Sequence, residues 1–214
     1  MTTWSPLRVT VFDYGAGNLH SLVKSMDGID VVVRIEPDSR ELLKDTDALV
    51  LPGVGAFSRA ADRLGAERES LRQALNDGLP ALCICLGMQL LFDRSEEGAG
   101  RGIGLIRGDV ARLTSARVPQ IGWNTVEWND EADDGLEIAY FANSYVCRPH
   151  PASGRSVIAW SEHEGDRFVA AVRHRETLGI QFHPEKSSRP GVTLIRNFLE
   201  RARRVRDELQ PAQR

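Results

Sequence analysis

Cysteine is scarce: the 214 residues include three, Cys83, Cys85 and Cys147. A small, odd set gives no disulfide framework and suits a reducing compartment, where a thiol stays free to react. Long apolar runs are missing as well. No uninterrupted stretch of 18 apolar residues exists to span a bilayer, and Met1–Pro6 is too short and polar for a secretory signal, so a cytoplasmic protein with no membrane partner is expected. Nor is there a cationic excess. Lys and Arg number 27 against 30 Asp and Glu, a formal charge of −3, which leaves nothing to release counterions from a phosphate backbone and argues against nucleic acid as a partner. The histidines His20, His150, His163 and His174 are scattered without ligand spacing, so no metal is expected. The turn Gly15-Ala16-Gly17-Asn18 lacks the third glycine of a dinucleotide fingerprint, His20 standing in its place, and no nucleotide cofactor is expected either. Repeats, low-complexity blocks and linkers are absent. The sequence therefore reads as one domain over 1–214, its core from about 7 to 201 and its tail polar from about 209.

Hydrophobic residues at 42% and charged residues at 27% are ordinary for a globular domain, which shifts attention to pattern. Leu7–Asp13 reads as a buried strand, followed by a glycine turn and a helix through Met26. Asp30–Ile35 and Asp47–Leu51 read as further strands, with Pro37–Lys44 as a helical crossover starting near Asp38. A helix over Ala56–Asp77, broken near Gly65, leads into the short apolar strand Ala81–Cys85, and Leu86–Phe92 opens the next helix. Alternation of strand and helix predicts a parallel sheet. The second half differs: Thr125–Trp128, Tyr140–Cys147, Ser156–Trp160, Phe168–Arg173 and Thr177–Phe182 have strand character. A last helix over Gly191–Glu208 buries Leu194, Ile195, Phe198 and Leu199. The expected fold is α/β, an open and mostly parallel twisted sheet flanked by helices, with an antiparallel β extension in the second half.

In such sheets ligands bind beyond the carboxyl ends of the strands, so residues there are candidates for chemistry. Cys85 ends a strand and should turn sharply into a helix, a nucleophile elbow with cysteine for serine. The helix N-terminus would favour the thiolate, and Gly87 would let the backbone turn tightly. Cys83 lies mid-strand, on the same parity as Cys85 but deeper, and reads as a core residue. His183 and Glu185 follow the strand Thr177–Phe182; in an extended segment residues i and i+2 share a side, so Glu185 can orient the imidazole that activates Cys85. The turn Leu51-Pro52-Gly53-Val54-Gly55-Ala56-Phe57 has two glycines that would let backbone amides turn toward an oxyanion. Trp123 and Trp128, with Asn124, are either a recognition surface or plain core aromatics.

Assembled, these residues make the chain resemble the class I, or triad, glutamine amidotransferases from Val9 to about Arg201. More narrowly it is similar to the glutaminases of histidine biosynthesis. That likeness is carried by Asp13-Tyr14-Gly15-Ala16-Gly17-Asn18-Leu19, Pro52–Phe57, Ile121-Gly122-Trp123-Asn124 and Gln181-Phe182-His183-Pro184-Glu185-Lys186-Ser187. Val54 stands where the anthranilate synthase glutaminases carry proline; those, the aminodeoxychorismate and the pyridoxal phosphate synthase glutaminases are the alternatives. The resemblance implies Cys85, His183 and Glu185 as catalytic triad, backbone amides of Leu86 and of the Val54–Gly55 turn as oxyanion donors, and Gly53, Gln89, Ser144 and Tyr145 around the glutamine. It implies a (β/α)8-barrel cyclase as heterodimer partner, with Tyr14, Asn18, Trp123 and Asn124 near the interface. Ammonia released from glutamine would pass to that partner, which makes imidazole glycerol phosphate and an aminoimidazole carboxamide ribotide, and the loaded partner would gate the glutaminase. Two departures stand out: Cys83 where relatives have glycine, and Asn143 where many carry histidine.

Overall fold

A computed structural model describes residues 5–15, 19–129 and 136–209. The first half alternates as the sequence predicts: β1 (Leu7–Phe12), α1 (His20–Lys24), β2 (Val31–Glu36), β3 (Ala48–Leu51), α2 (Phe57–Leu64), α3 (Arg68–Asp77), β4 (Ala81–Ile84) and α4 (Leu86–Gln89). The second half is mostly strand: β5 (Arg94–Ser95), β6 (Gly108–Arg112), β7 (Gln120–Thr125), β8 (Glu127–Trp128), β9 (Ile138–Asn143), β10 (Tyr145–Pro149), β11 (Val157–His163), β12 (Asp166–His174) and β13 (Thr177–Ile180), before the closing helix α5 (Ser188–Leu209).

An eight-stranded sheet forms the centre, in the order β2-β1-β3-β4-β13-β12-β11-β8. Pairing is parallel from β2 through β13 and antiparallel from β13 outward to β8. Residue type follows position. The inner strands β3, β4 and β13 are buried at every residue, and all but Thr177 at the start of β13 are apolar or glycine, as strands covered on both faces require. The edge strand β2 alternates and carries Arg34 and Glu36, charges that discourage further strand addition. One face of the sheet packs Leu82, Ile84, Leu178 and Ile180 against Leu194, Ile195, Phe198 and Leu199 of α5. The other packs Leu49, Leu51 and Cys83 against Phe57 and Leu64 of α2 and Leu71 and Leu75 of α3.

Four expectations from the sequence need correction. The crossover Pro37–Lys44 holds only a single 3-10 turn, Ser39–Glu41, although Asp38 does cap it by accepting from Arg40 N at 3.0 Å. The helix expected over Leu86–Phe92 stops at Gln89, because Phe92 is drawn into a turn whose carbonyl receives Gly104 N. The strand expected over Tyr140–Cys147 breaks at Ser144: β9 pairs with β7, while β10 changes sheet to pair with β6. Strands β6 and β7 were not expected, although β7 alternates from Gln120 to Thr125. By contrast Gly65, with φ of 50°, does separate α2 from α3.

The ends of the chain are tied together by α5. Arg196 donates to Asp27 O at 2.8 Å, Arg203 to Asp30 O, and Arg206 to Ser5 O at 3.0 Å, so one basic helix face holds the backbone entering β1 and β2. Asp47 anchors the same region, accepting from Arg8 Nη2 at 2.7 Å, Arg8 Nε at 3.1 Å and Arg8 N at 2.9 Å. Among the described residues no helix is long and apolar enough to cross a membrane.

Burial would raise the Asp47 carboxyl, but the hydrogen bonds from Arg8 outweigh it and hold the carboxyl below its usual range. A depressed folded-state pKa contributes stability above the unfolded value of about 3.9 and loses it as pH falls through the folded one. Asp47→Asn should therefore lower the free energy of urea unfolding by about 2 kcal/mol at pH 7, a difference that shrinks as pH drops below about 4. An equal loss at both pH values would show the effect to be packing.

Candidate active site

The carboxyl ends of β3, β4 and β13 lie side by side, and the residues just beyond them converge on a cleft of about 280 Å³. Cys85 follows β4 directly. Its φ of 48° and ψ of −103° put a non-glycine residue in the left-handed half of backbone space, where the chain reverses from strand into α4. Parity consequently fails here: Cys83 stays with the α2 and α3 side of the core, while Cys85 packs with the opposite cluster. Burial alone pushes the Cys83 thiol far up, in keeping with its reading as a core residue. Gly87 is needed for close approach rather than for an unusual φ, since a Cβ there would sit 2.1 Å from Leu51 O. Gly53 is hemmed in the same way by His183 Cε1 at 2.9 Å and Cys85 Cβ at 3.0 Å. The helix dipole that the sequence suggested is confined to four residues.

His183 is 2% exposed and fixed by its backbone: its N–H donates to Tyr140 O at 2.8 Å, and its carbonyl accepts from Ser187 Oγ at 2.7 Å. Nδ1 donates to Glu185 Oε1 at 2.8 Å. The i and i+2 reasoning reached the right pair by the wrong geometry. Pro184–Lys186 forms a 3-10 turn, and that turn, not an extended strand, brings Glu185 under the ring. Burial would lower the His183 pKa, but the charge of Cys85, a hydrogen bond to Cys85 and the hydrogen bond to Glu185 together push it up to about 10. An imidazolium beside sulfur, backed by a carboxylate, is arranged to pass a proton.

The cleft wall includes the other residues singled out from the sequence: Gly53, Val54 and Gly55 from the loop after β3, Leu86 and Gln89 from α4, and Ser144 and Tyr145 from the break between β9 and β10. Gly55 has φ of 125°, a region that favours glycine. Leu86, as the first helical residue, has an amide with no partner inside the helix. Gln89 Nε2 donates to Tyr145 O at 3.0 Å. Asn143 also lines the cleft and donates to Tyr145 O at 3.3 Å.

Glu97, Ala142 and Lys186 of the cleft, and Gln181 buried behind it, carried no role in the sequence reading. Glu97 and Lys186 put an acid and a base on its wall; Glu97 accepts from Phe57 N at 2.8 Å. Gln181 is fully buried and donates from Nε2 to Cys85 Sγ at 3.4 Å. The strand rule applied to Glu185 would have found Gln181, two residues before His183.

The residues expected near an interface separate. Trp123 is 54% exposed on β7 and stacks edge-on with Tyr140, their centroids 6.1 Å apart. Asn124 is half-buried and donates to Glu162 O at 2.7 Å. Tyr14 is corrected to the core: at 1% exposure it packs edge-on against Phe12, since the apolar surroundings of β1 take up the ring. Asn18 lies outside the described residues.

The family description "Glutamine amidotransferase class-I" matches residues 10–202. A protein of Thermus thermophilus named imidazole glycerol phosphate synthase subunit HisH is 41% identical over 205 residues, covering 92% of this chain and 98% of its own. One of the same name from Pyrococcus furiosus is 39% identical over 197 residues, covering 89% and 97%. Among solved structures, PurLQS from Thermotoga maritima superposes with a TM-score of 0.70 at 17% identity, over 92% of this chain and 99% of that one. A glutamine amidotransferase from Thermotoga maritima gives 0.63 at 16%, over 94% and 85%. At such identities the two structures speak for the fold alone.

An NMR titration should place the His183 imidazole near pH 10, lower in Glu185→Gln and lower still in Cys85→Ala, because Cys85 supplies the larger raising effect. The reverse order would mean that the carboxylate dominates. Gly87→Ala should cost about 1–3 kcal/mol in urea unfolding, through the clash with Leu51 O; unchanged stability would show that the turn can yield.

Proposed function

Because the chain belongs to the class-I glutamine amidotransferases, we propose that it is the glutaminase subunit of an imidazole glycerol phosphate synthase. It hydrolyses glutamine to glutamate and delivers the ammonia to a (β/α)8-barrel cyclase, for histidine biosynthesis. The observation that carries this reading is the convergence of Cys85, His183 and Glu185 at the strand ends, in a chain about 40% identical to proteins so named.

Cys85 sulfur attacks the carboxamide carbon. The oxyanion takes donors from Leu86 N and the Val54–Gly55 amides. The C–N bond then breaks, with His183 giving its proton to the departing nitrogen, and ammonia leaves a glutamyl thioester. Water loses a proton to the same imidazole and cleaves the thioester to glutamate and free Cys85. Glu185 keeps the ring in register throughout. Gly53, Gln89, Ser144 and Tyr145 surround the bound glutamine, and the Glu97 carboxylate complements its α-ammonium group.

A docking face for the cyclase is supported by the apolar strip on β7 and β9. Ile121 is 69% exposed, Trp123 54% and Ile138 53%, three of the seven large hydrophobic side chains exposed among the described residues, gathered on one face of one two-stranded sheet. The register sets Ile121 opposite Ala142 and Gln120 opposite Asn143, and both Ala142 and Asn143 line the cleft. The strip therefore borders the place where ammonia is released.

The test is glutamate release by the purified chain, alone and with a cyclase carrying its nucleotide. Turnover should rise at least tenfold with the loaded cyclase, vanish in Cys85→Ala, and lose most of the stimulation in Trp123→Asp. Cys85-dependent turnover indifferent to that cyclase would assign the chain to another synthase; no Cys85-dependent turnover would overturn the glutaminase reading.

A further inference from the structure

Sulfur at Cys85 has a donor besides His183. Gln181 Nε2 lies 3.4 Å from Sγ, a normal length for a nitrogen donor to sulfur, and both side chains are buried. The amide is oriented by its other end, since Gln181 Oε1 accepts from Gln89 Nε2 at 3.4 Å. Gln89 Nε2 in turn donates to Tyr145 O at 3.0 Å. With its oxygen so engaged, Gln181 turns its NH2 toward sulfur. The backbone holds it too, through Gln181 N to Ala170 O at 2.8 Å. Gln181 and His183 sit two residues apart on the extension of β13, which lets both reach Cys85.

We propose that Gln181 is a positioning residue: its amide N–H holds the Cys85 sulfur in place for attack and stabilises negative charge on it, while His183 handles the proton. A buried Gln in an apolar sheet would otherwise cost stability. A donor aimed at an ionised acceptor is also worth about twice a neutral one. The chain Tyr145–Gln89–Gln181–Cys85 further joins the glutamine-facing wall of the cleft to the sulfur, so the two are set together. The inference rests on Cys85 being the nucleophile.

Alkylation of Cys85 by iodoacetamide, followed by peptide mass spectrometry on the full chain, reads the sulfur without glutamine or partner. Gln181→Met keeps the volume and removes the donor; Gln181→Glu replaces the donor by an acceptor. Alkylation at pH 7.5 should slow roughly tenfold in Gln181→Met, with a thermal midpoint close to that of the parent, and further in Gln181→Glu, whose buried carboxylate lowers the midpoint. In the complex with the cyclase, kcat should fall by a similar factor while KM for glutamine changes less than about twofold. Should the Gln181 variants fail to fold, Gln89→Met carries the test: it leaves Gln181 in place, frees its amide to rotate, and should slow alkylation about threefold. Alkylation at the parental rate in folded variants overturns the inference. No selective alkylation of Cys85 in the parent overturns the nucleophile assignment instead, so the two failures are distinct.

Discussion

The structure depends on one unfavourable backbone conformation. Cys85 holds φ of 48° without being glycine, a cost of about 1–3 kcal/mol that persists only where its surroundings over-determine it. They do. β4 is buried between β3 and β13 along its whole length, so the end of the strand cannot relax. Cys85 N donates to Ile180 O at 2.6 Å, and α4 lies so close to β3 that only glycine fits at 87. The strain turns the sulfur out of the strand's alternation and into the cleft.

What the first half of the chain presents, the second half equips. β13 delivers Gln181 and His183 from the strand next to β4; the 3-10 turn after it folds Glu185 back onto the ring. β9 holds the backbone of that turn: His183 N donates to Tyr140 O, and Tyr140 N donates to Ser187 Oγ. At Ser144 the strand leaves one small sheet for another, and the four residues around that break line the substrate side. The antiparallel extension is thus the support for half the site.

Much of this was readable beforehand. Apolar runs between glycine and proline turns located β1, β3 and β4, because strands covered on both faces need apolar residues throughout. The glycines at 53, 55 and 87 were readable as sites of tight turning, though not which would be demanded by φ and which by contact. What stayed hidden was non-local. β6 and β7 exist because β10 and β9 offer them partners, a relation absent from their own residues. Tyr14 was placed near an interface on resemblance and is buried by its neighbours. Gln181 was quoted within a motif but assigned no work, since its partners lie 92 and 96 residues away.

The strand order also bears on synthesis. β13, among the last strands to leave the ribosome, is inserted in the middle of the central sheet, between β4 and β12, and the arginines that clamp the start of the chain belong to the helix after it. A nascent chain that has already made β1 to β4 still shows an unpaired edge at β4, with every residue of it apolar. Such an edge invites association with other chains, and parallel pairings closed over long sequence distances form slowly. Cys85 is therefore translated well before His183, and a truncated product that ends short of β13 has the thiol without the imidazole beside it.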